Sequence, residues 1–340
     1  MKTSEIVMPG KVEPSGLQVR DRELPAPGAG QVVLRMEATG VSFAEQQMRR
    51  GKYYDQPAFP FVPGYDAVGT VAATGPGVDP ALVGLRFAAV LKIGGWASHL
   101  LVAAGDLIPV PAGVSAAAAE TMAVNGITAW QMLHRQARVR PGGTIVVLGA
   151  NGGVGSALVQ LARHAGLRVI GTASPRHHAT VRRLGAEPVD YRDPRRMYEQ
   201  IRELAPTGVD AVFDHVGGPA LAESWRLLRR GGTLVSYGTA ATKNDEGNSQ
   251  LPVLRSFARI QLWNLLPNGR RATFYNFWAG RRFRASFQRR LREDLTQVLR
   301  LVADGVVVPE IAAEFPLAET AAALALAESR TVTGKVVIVP

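Results

Sequence analysis

The sequence predicts an α/β chain of two domains, a barrel-like β domain and a doubly wound parallel sheet. Three observations carry that expectation. The 340 residues exceed what one small core needs. The N-terminal third consists of short apolar runs bounded by Gly and Pro. From Gly143 onward, strand-like and helix-like segments alternate, the signature of parallel βαβ units.

The β region reads as runs at Gly30–Phe43, Ala67–Gly75, Gly84–Leu91 and Gly95–Ala104. Ser115 then stands as an N-cap before a helical stretch reaching Ala137, with Asn125-Gly126 expected to interrupt it. In the second region "TIVVLGA" is a buried strand, and "GSALVQLARHAG" is a helix stopped by Gly166. "LRVIGTA" is the next strand, and "RHHATVRRLG" another helix with a glycine stop. "VDAVFDHVG" and "GGTLVSYG" continue the series as strands, and Ala272–Trp278 reads as its last strand. The segment from Ala240 to Arg271 shows no clear strand, but its "PVLRSFARIQLWNLL" is apolar at helical spacing. Phe283, Phe287 and Leu291 recur every fourth residue among arginines, which predicts an amphipathic helix over Gly280–Asp294 with a charged outer face. The remaining C-terminal chain reads as strand, helix, strand.

Composition excludes several functions. With no cysteine, disulfides and thiolate metal sites are absent. No secretory leader and no apolar run of about 18 residues is visible, so no membrane span and a cytoplasmic protein are expected. The formal charge of +11 raises the question of nucleic acid, but no RNA- or DNA-binding motif accompanies it. Solvated arginine faces account for the charge.

The chemistry concentrates in "VVLGANGGVGSALVQLA", Val146–Ala162. The dinucleotide fingerprint G-x-G-x-x-G falls on Ala150, Gly152 and Gly155, with Asn151, Gly153 and Val154 between them. A strand precedes it and a helix follows at once. Small residues there let the backbone approach a pyrophosphate, and the helix N-terminus presents free N–H groups to it. An NAD enzyme places Asp or Glu about 20 residues further on, to hold the ribose 2′-hydroxyl. Here that place reads "GTASPRHH" and has no acid. Ser174 and Arg176 supply a hydroxyl and a permanent cation, which suit a 2′-phosphate. The expectation is NADPH rather than NADH.

Five ordered blocks extend the reading along the chain: "GVSFAEQQMRRGKY", "PFVPGYDAVGTVAATGPGV", "NGITAWQML", "LGANGGVGSALVQLA" and the terminal "GKVVIVP". Together they resemble the zinc-independent quinone oxidoreductase branch of the medium-chain dehydrogenase/reductases. The resemblance implies a GroES-like catalytic domain from residues 1–124 and 278–340, and a Rossmann NADPH-binding domain from 125–277. It also implies reduction of an enone or quinone, and a homodimer. Zinc-dependent relatives carry Cys where this chain has Ser42, and His where it has Tyr65; both replacements are poor zinc ligands.

The resemblance further implies cofactor contacts at Tyr191, Val216, Gly238, Thr239, Phe274, Tyr275, Asn276 and Lys335, and places Thr128 near the nicotinamide. Ser42, where the family often has Asn, is a candidate hydrogen-bonding residue. Tyr53 matches the tyrosine that acts as acid in related enoyl reductases, with Tyr54 its neighbour and rival. The segment from Ala240 to Arg271 departs from the family and is expected to shape the substrate side. Two other readings remain: an enoyl-thioester or secondary-metabolite ene reductase, and a non-enzymatic cofactor-binding relative of the vesicle amine transport branch.

Overall fold

The structure, a computed structural model, describes residues 1–238 and 250–340, with side chains from Leu254 in the second stretch. Its strands are β1 (Lys2–Val7), β2 (Gln18–Glu23), β3 (Gln31–Val41), β4 (Asp66–Thr74), β5 (Arg86–Val90), β6 (His99–Ala103) and β7 (Leu107–Pro109). They continue as β8 (Thr144–Val147), β9 (Arg168–Ala173), β10 (Glu187–Asp190), β11 (Val209–Asp214), β12 (Leu228–Ser236), β13 (Arg271–Phe274), β14 (Ile311–Pro316) and β15 (Lys335–Val339). The helices are α1 (Phe43–Arg49), α2 (Ala116–Trp130), α3 (Gly153–His164), α4 (His178–Leu184), α5 (Pro194–Leu204), α6 (Ala220–Arg226), α7 (Gln250–Asn264), α8 (Arg284–Ala303) and α9 (Thr320–Ser329). Two compact units result: Met1–Ile127 with Gly280–Pro340, and Thr128–Ala279.

The first unit holds a seven-stranded sheet in the order β14-β15-β3-β4-β5-β7. β6 joins it on β3, pairing with Gln31–Arg35, while β15 pairs further along the same strand, at Thr39–Val41. Inward residues of these strands, including Val32, Leu34, Met36, Val71 and Ile338, enclose the fully buried Trp96. Ser115 caps α2 as expected, accepting from the Ala118 N–H at 3.2 Å. Asn125-Gly126 does not interrupt that helix. A Cβ on Gly126 would lie 2.8 Å from Val298 Cγ1, so glycine serves close packing of α2 on α8 there. On α8, Phe287 and Leu291 are buried with Leu295, Val298 and Leu299, whereas Phe283 sits at the N-cap and is exposed. The four-residue spacing therefore holds for two of its three members.

The second unit is a six-stranded sheet, β10-β9-β8-β11-β12-β13, with every pair parallel. Its first strand in sequence, β8, lies inside the sheet. The chain winds outward one way through β9 and β10, then the other way through β11, β12 and β13. The reversal between β8 and β11 opens a crevice at their carboxyl ends, where doubly wound sheets bind ligands. Val146, Leu148, Ile170, Val212 and Leu234 form its core with Met197, Ile201 and Leu221 from the helices. Trp225 stacks on Trp263 of α7 at 5.0 Å between ring centroids. A turn of π-helix, Gln131–Ala137, follows α2. No helix among the described residues is long and apolar enough to cross a membrane.

Candidate functional site

The turn after β8 is built by backbone geometry. Gly149 takes φ +70°, which a side chain would strain, and an added Cβ would lie 2.6 Å from the His215 ring. Its N–H is held by Thr172 Oγ1 at 3.0 Å, and the Ala150 N–H donates to Thr172 O at 2.9 Å. The tight-turn glycine is thus Gly149. Ala150, at the first fingerprint position, is fully buried, and a Cβ on Gly171 would come 2.7 Å from its methyl. At Gly155 an added Cβ would stand 3.0 Å from Ala150 Cα and closer still to Gly149 O, so glycine is required for α3 to start this near the strand. Gly152 is different. It is the N-cap of α3 with no side chain capping the helix, and its Cβ would meet nothing nearer than 3.4 Å. Gly153 and Val154 follow it as the first residues of α3 and Asn151 precedes it; all three are part-exposed. Open space over an uncapped helix N-terminus fits a pyrophosphate.

β9 and β10 pair with Ala173 opposite Asp190, so Ser174 and Tyr191 leave neighbouring strand ends together. Ser174 is buried and its Oγ has no hydrogen-bond partner, an exception among buried hydroxyls. Arg176 is exposed, with its Nε 3.1 Å from His177 Nε2. Desolvation and the neighbouring Arg176 charge both hold His177 below its ordinary value. Tyr191 is exposed. An orphaned hydroxyl, a cation and an exposed ring at one sheet corner fit the adenosine end of NADP(H).

Across the strand reversal, buried Asp214 organises the turn after β11. Its carboxylate accepts from Val216 N at 2.8 Å, Gly217 N at 2.9 Å and Ser224 Oγ at 2.7 Å. Val216 is thereby fixed at the crevice edge. A Cβ on Gly238 would lie 2.6 Å from His215 O, so this glycine closes the turns after β11 and β12 onto each other. Thr239 lies outside the described residues. Phe274 is partly buried against the core. Tyr275 is buried, donates its N–H to Ser236 O at 2.7 Å, and donates its hydroxyl to Gln131 Oε1 at 2.9 Å. Asn276 is exposed and accepts from Trp278 N at 2.9 Å. Thr128 is buried on α2.

The remaining candidates lie in the first unit. Ser42 caps α1 in a capping box with Glu45: Ser42 Oγ accepts from Ala44 N at 3.2 Å and Glu45 Oε2 accepts from Ser42 N at 2.9 Å. Ser42 Oγ also donates to Glu45, which burial holds above the usual carboxylate range despite that bond. Lys335 is buried with its ammonium on Glu120 Oε1 and 3.0 Å from Asp66 Oδ2. Burial alone would depress that ammonium, but Asp66 and Glu120 more than reverse it. Glu120, raised chiefly by burial, is held well above the usual range. Gly40 makes room for this cluster, since its Cβ would come 2.5 Å from Lys335 Cε. Tyr53 is half-buried, and its hydroxyl meets that of Tyr65. Burial, then the Asp55 charge, push the Tyr54 hydroxyl up to about 12.

Sequence reasoning missed Asp214 and Thr172, which shape the two turns, and the Asp66–Glu120–Lys335 cluster. "VFDHVGG" held the signal for Asp214, an acid ending an apolar strand before two glycines.

Comparison with known proteins agrees with this architecture. Residues 28–112 match the alcohol dehydrogenase GroES-like domain family, and residues 184–338 match a family described as zinc-binding dehydrogenase. A 2-haloacrylate reductase from Burkholderia sp is 31% identical over 328 residues, covering 93% of this chain and 92% of that protein. The chain belongs to the quinone oxidoreductase-like branch of the medium-chain dehydrogenase/reductases. A GroES-like domain and a Rossmann sheet are its two parts. The rat (Rattus norvegicus) synaptic vesicle membrane protein VAT-1 homolog is 31% identical over 330 residues, covering 95% of this chain and 80% of that one. Among solved structures, mycobacterial Rv1454c complexed with NADPH superposes with a TM-score of 0.83 at 27% identity, covering 99% of this chain and all of that one. Quinone oxidoreductases appear among the neighbours at 28% and 26% identity.

Proposed function

We propose that the protein is an NADPH-dependent, zinc-independent oxidoreductase that reduces the activated C=C bond of an α,β-unsaturated carbonyl, or a quinone. One observation carries the cofactor choice: the orphaned, buried Ser174 Oγ stands beside Arg176 where an NAD enzyme would keep an acid. Bound NADPH supplies a hydride to the β-carbon or quinone. Gly152 to Gly155 admit the pyrophosphate to the α3 N-terminus, and Val216, Gly238 and Phe274 to Asn276 flank the nicotinamide end. Thr128 orients the cofactor, and Ser42 acts through the cap that fixes the start of α1. Tyr53 donates the proton that the developing enolate requires. Lys335 acts from within its ion cluster, by holding the first unit's strands in place. Zinc has no part, because Ser42 is engaged in capping α1 and Tyr65 in its bond to Tyr53, and neither is a competent ligand.

The reduction of a haloacrylate by a relative supports the enone class. The likeness to VAT-1 homologs favours a second reading, cofactor binding without turnover. NADPH oxidation, followed by absorbance, separates these readings when benzoquinone, methyl vinyl ketone and a crotonyl thioester are each supplied. Turnover of an enone or quinone is expected. Preference for the thioester would move the protein to the enoyl-thioester reductases. NADPH binding with no turnover of any of the three would favour the second reading. Equal or better use of NADH would overturn the cofactor assignment.

A homodimer accords with the outer face of α7, where Leu254, Phe257 and Leu262 are exposed, and with β13 as an edge strand. A cytoplasmic location accords with the NADPH pool such a reductase draws on.

A further inference from the structure

Tyr65 stands at the position where zinc-dependent relatives keep a ligand, and its own function is unassigned. It is buried, at 4% exposure, immediately before β4. Its carbonyl accepts from the Leu91 N–H at 2.7 Å. The next residue, Asp66, is clamped on both sides: Thr39 Oγ1 donates to its carbonyl at 2.6 Å, and Lys335 Nζ holds its carboxylate. Tyr65 is therefore fixed in place. Its ring meets the Tyr53 ring edge-on, with centroids 6.1 Å apart at 89°, and the two hydroxyls are bonded. Tyr53 sits on the loop after α1 and is only half-buried. The buried phenol of the pair thus backs the half-buried one.

We propose that Tyr65 is the positioning residue of the proton-delivery step, holding Tyr53 through its hydroxyl and hydrogen-bonding the phenolate oxygen left when Tyr53 gives up its proton. The proposal rests on the reading of Tyr53 as proton donor. In the step the Tyr53 O–H bond breaks and a bond from that proton to the enolate forms. The electron pair stays on the Tyr53 oxygen, towards which the Tyr65 O–H turns. A proton from solvent then restores Tyr53, so each turnover consumes one hydride from the cofactor and one solvent proton. A hydrogen bond to the charged form favours that form, and it is worth more in a desolvated site. Tyr54 adjoins Tyr53 on the same loop, with ring centroids 4.6 Å apart. A purely structural phenol would contribute only to the shape of the loop.

The test uses Tyr65→Phe, which keeps the ring and removes one oxygen, beside Tyr53→Phe and the double variant. NADPH and methyl vinyl ketone serve as substrates, and thermal melting verifies folding. The expected result is a kcat about tenfold lower for Tyr65→Phe, with KM within about twofold and a larger solvent deuterium isotope effect on kcat. The double variant should be no slower than Tyr53→Phe, because Tyr65 acts only through Tyr53. If Tyr53→Phe is slow while Tyr65→Phe keeps wild-type kcat and isotope effect, the Tyr65 assignment falls and the donor reading stands. If the two losses multiply in the double variant, Tyr65 acts by another route and the proposal is likewise overturned. If Tyr53→Phe loses less than about threefold, the donor reading falls and takes this proposal with it.

Discussion

Replacing Gly152 by alanine adds one methyl group at the mouth of the turn after β8. The protein itself accommodates it. Gly152 has φ −75° and ψ 172°, which any residue adopts, and its Cβ meets nothing nearer than 3.4 Å. Alanine is a poorer N-cap than glycine by several tenths of a kcal/mol, and a less flexible unfolded chain returns about 0.4–1 kcal/mol. The two offset, so the melting temperature should stay within about 2 °C of wild type. Binding is another matter. The methyl fills the space over the first N–H groups of α3, where a pyrophosphate oxygen would sit. Losing one charge-assisted hydrogen bond costs about 1.5–3 kcal/mol, which weakens NADPH binding about 10- to 150-fold. Fluorescence titration of NADPH alongside a melting curve reads both quantities. Gly155→Ala supplies the contrast, since its methyl would strike the backbone of Gly149 and Ala150, and should destabilise the fold by about 1–3 kcal/mol. An NADPH affinity for Gly152→Ala within twofold of wild type would refute the assignment of this turn to the pyrophosphate.

Two further outcomes follow from other residues. Arg176→Ala should raise the KM for NADPH about 10-fold or more by removing a charge-assisted bond to the 2′-phosphate, while NADH kinetics stay level. Equal effects on both cofactors in steady-state assays would contradict this. Glu328 holds buried Arg49 bidentately, at 3.0 and 2.7 Å, and Arg50 at 2.9 Å. Burial alone would raise its carboxyl, but the Arg49 bond and the two arginine charges bring it below 4.5. A depressed folded-state value contributes stability in full above 4.5 and loses it as pH falls through the folded value. Glu328→Gln should therefore cost about 3 kcal/mol at neutral pH, as for a buried pair that loses one partner. Denaturant melts across the acid range should show the gap from wild type closing below pH 4.5.

Periodicity made the second unit legible, because buried parallel strands and the helices between them differ in length and composition. The first unit was harder. β1, β2 and β7 went unread, and β2 is exposed along its whole length, so no apolar alternation marks it. Asn125-Gly126 reads as a break in the sequence because glycine weakens helices. Only the packing of Val298 shows why it stays inside one. The fingerprint register was visible, yet the residue at positive φ is Gly149 rather than position one of the motif, a distinction carried by dihedral angle and not by residue type. The ion cluster was invisible for another reason. Asp66, Glu120 and Lys335 are far apart in sequence, and their meeting depends on β15 closing beside β3.

That closure bears on how the protein is made. β3 cannot complete its edge until β15 is synthesised, about 290 residues later. At ribosomal speeds of about 5–20 residues per second, this leaves the Thr39–Val41 end of one edge of β3 without its partner for tens of seconds. The whole of the six-stranded sheet lies between them in the sequence and leaves the ribosome first. The order of emergence therefore favours a finished second unit waiting on an unfinished β domain, in which an interrupted or slowed translation would strand an open strand edge beside the carboxyls of Asp66 and Glu120, with Lys335 still to come.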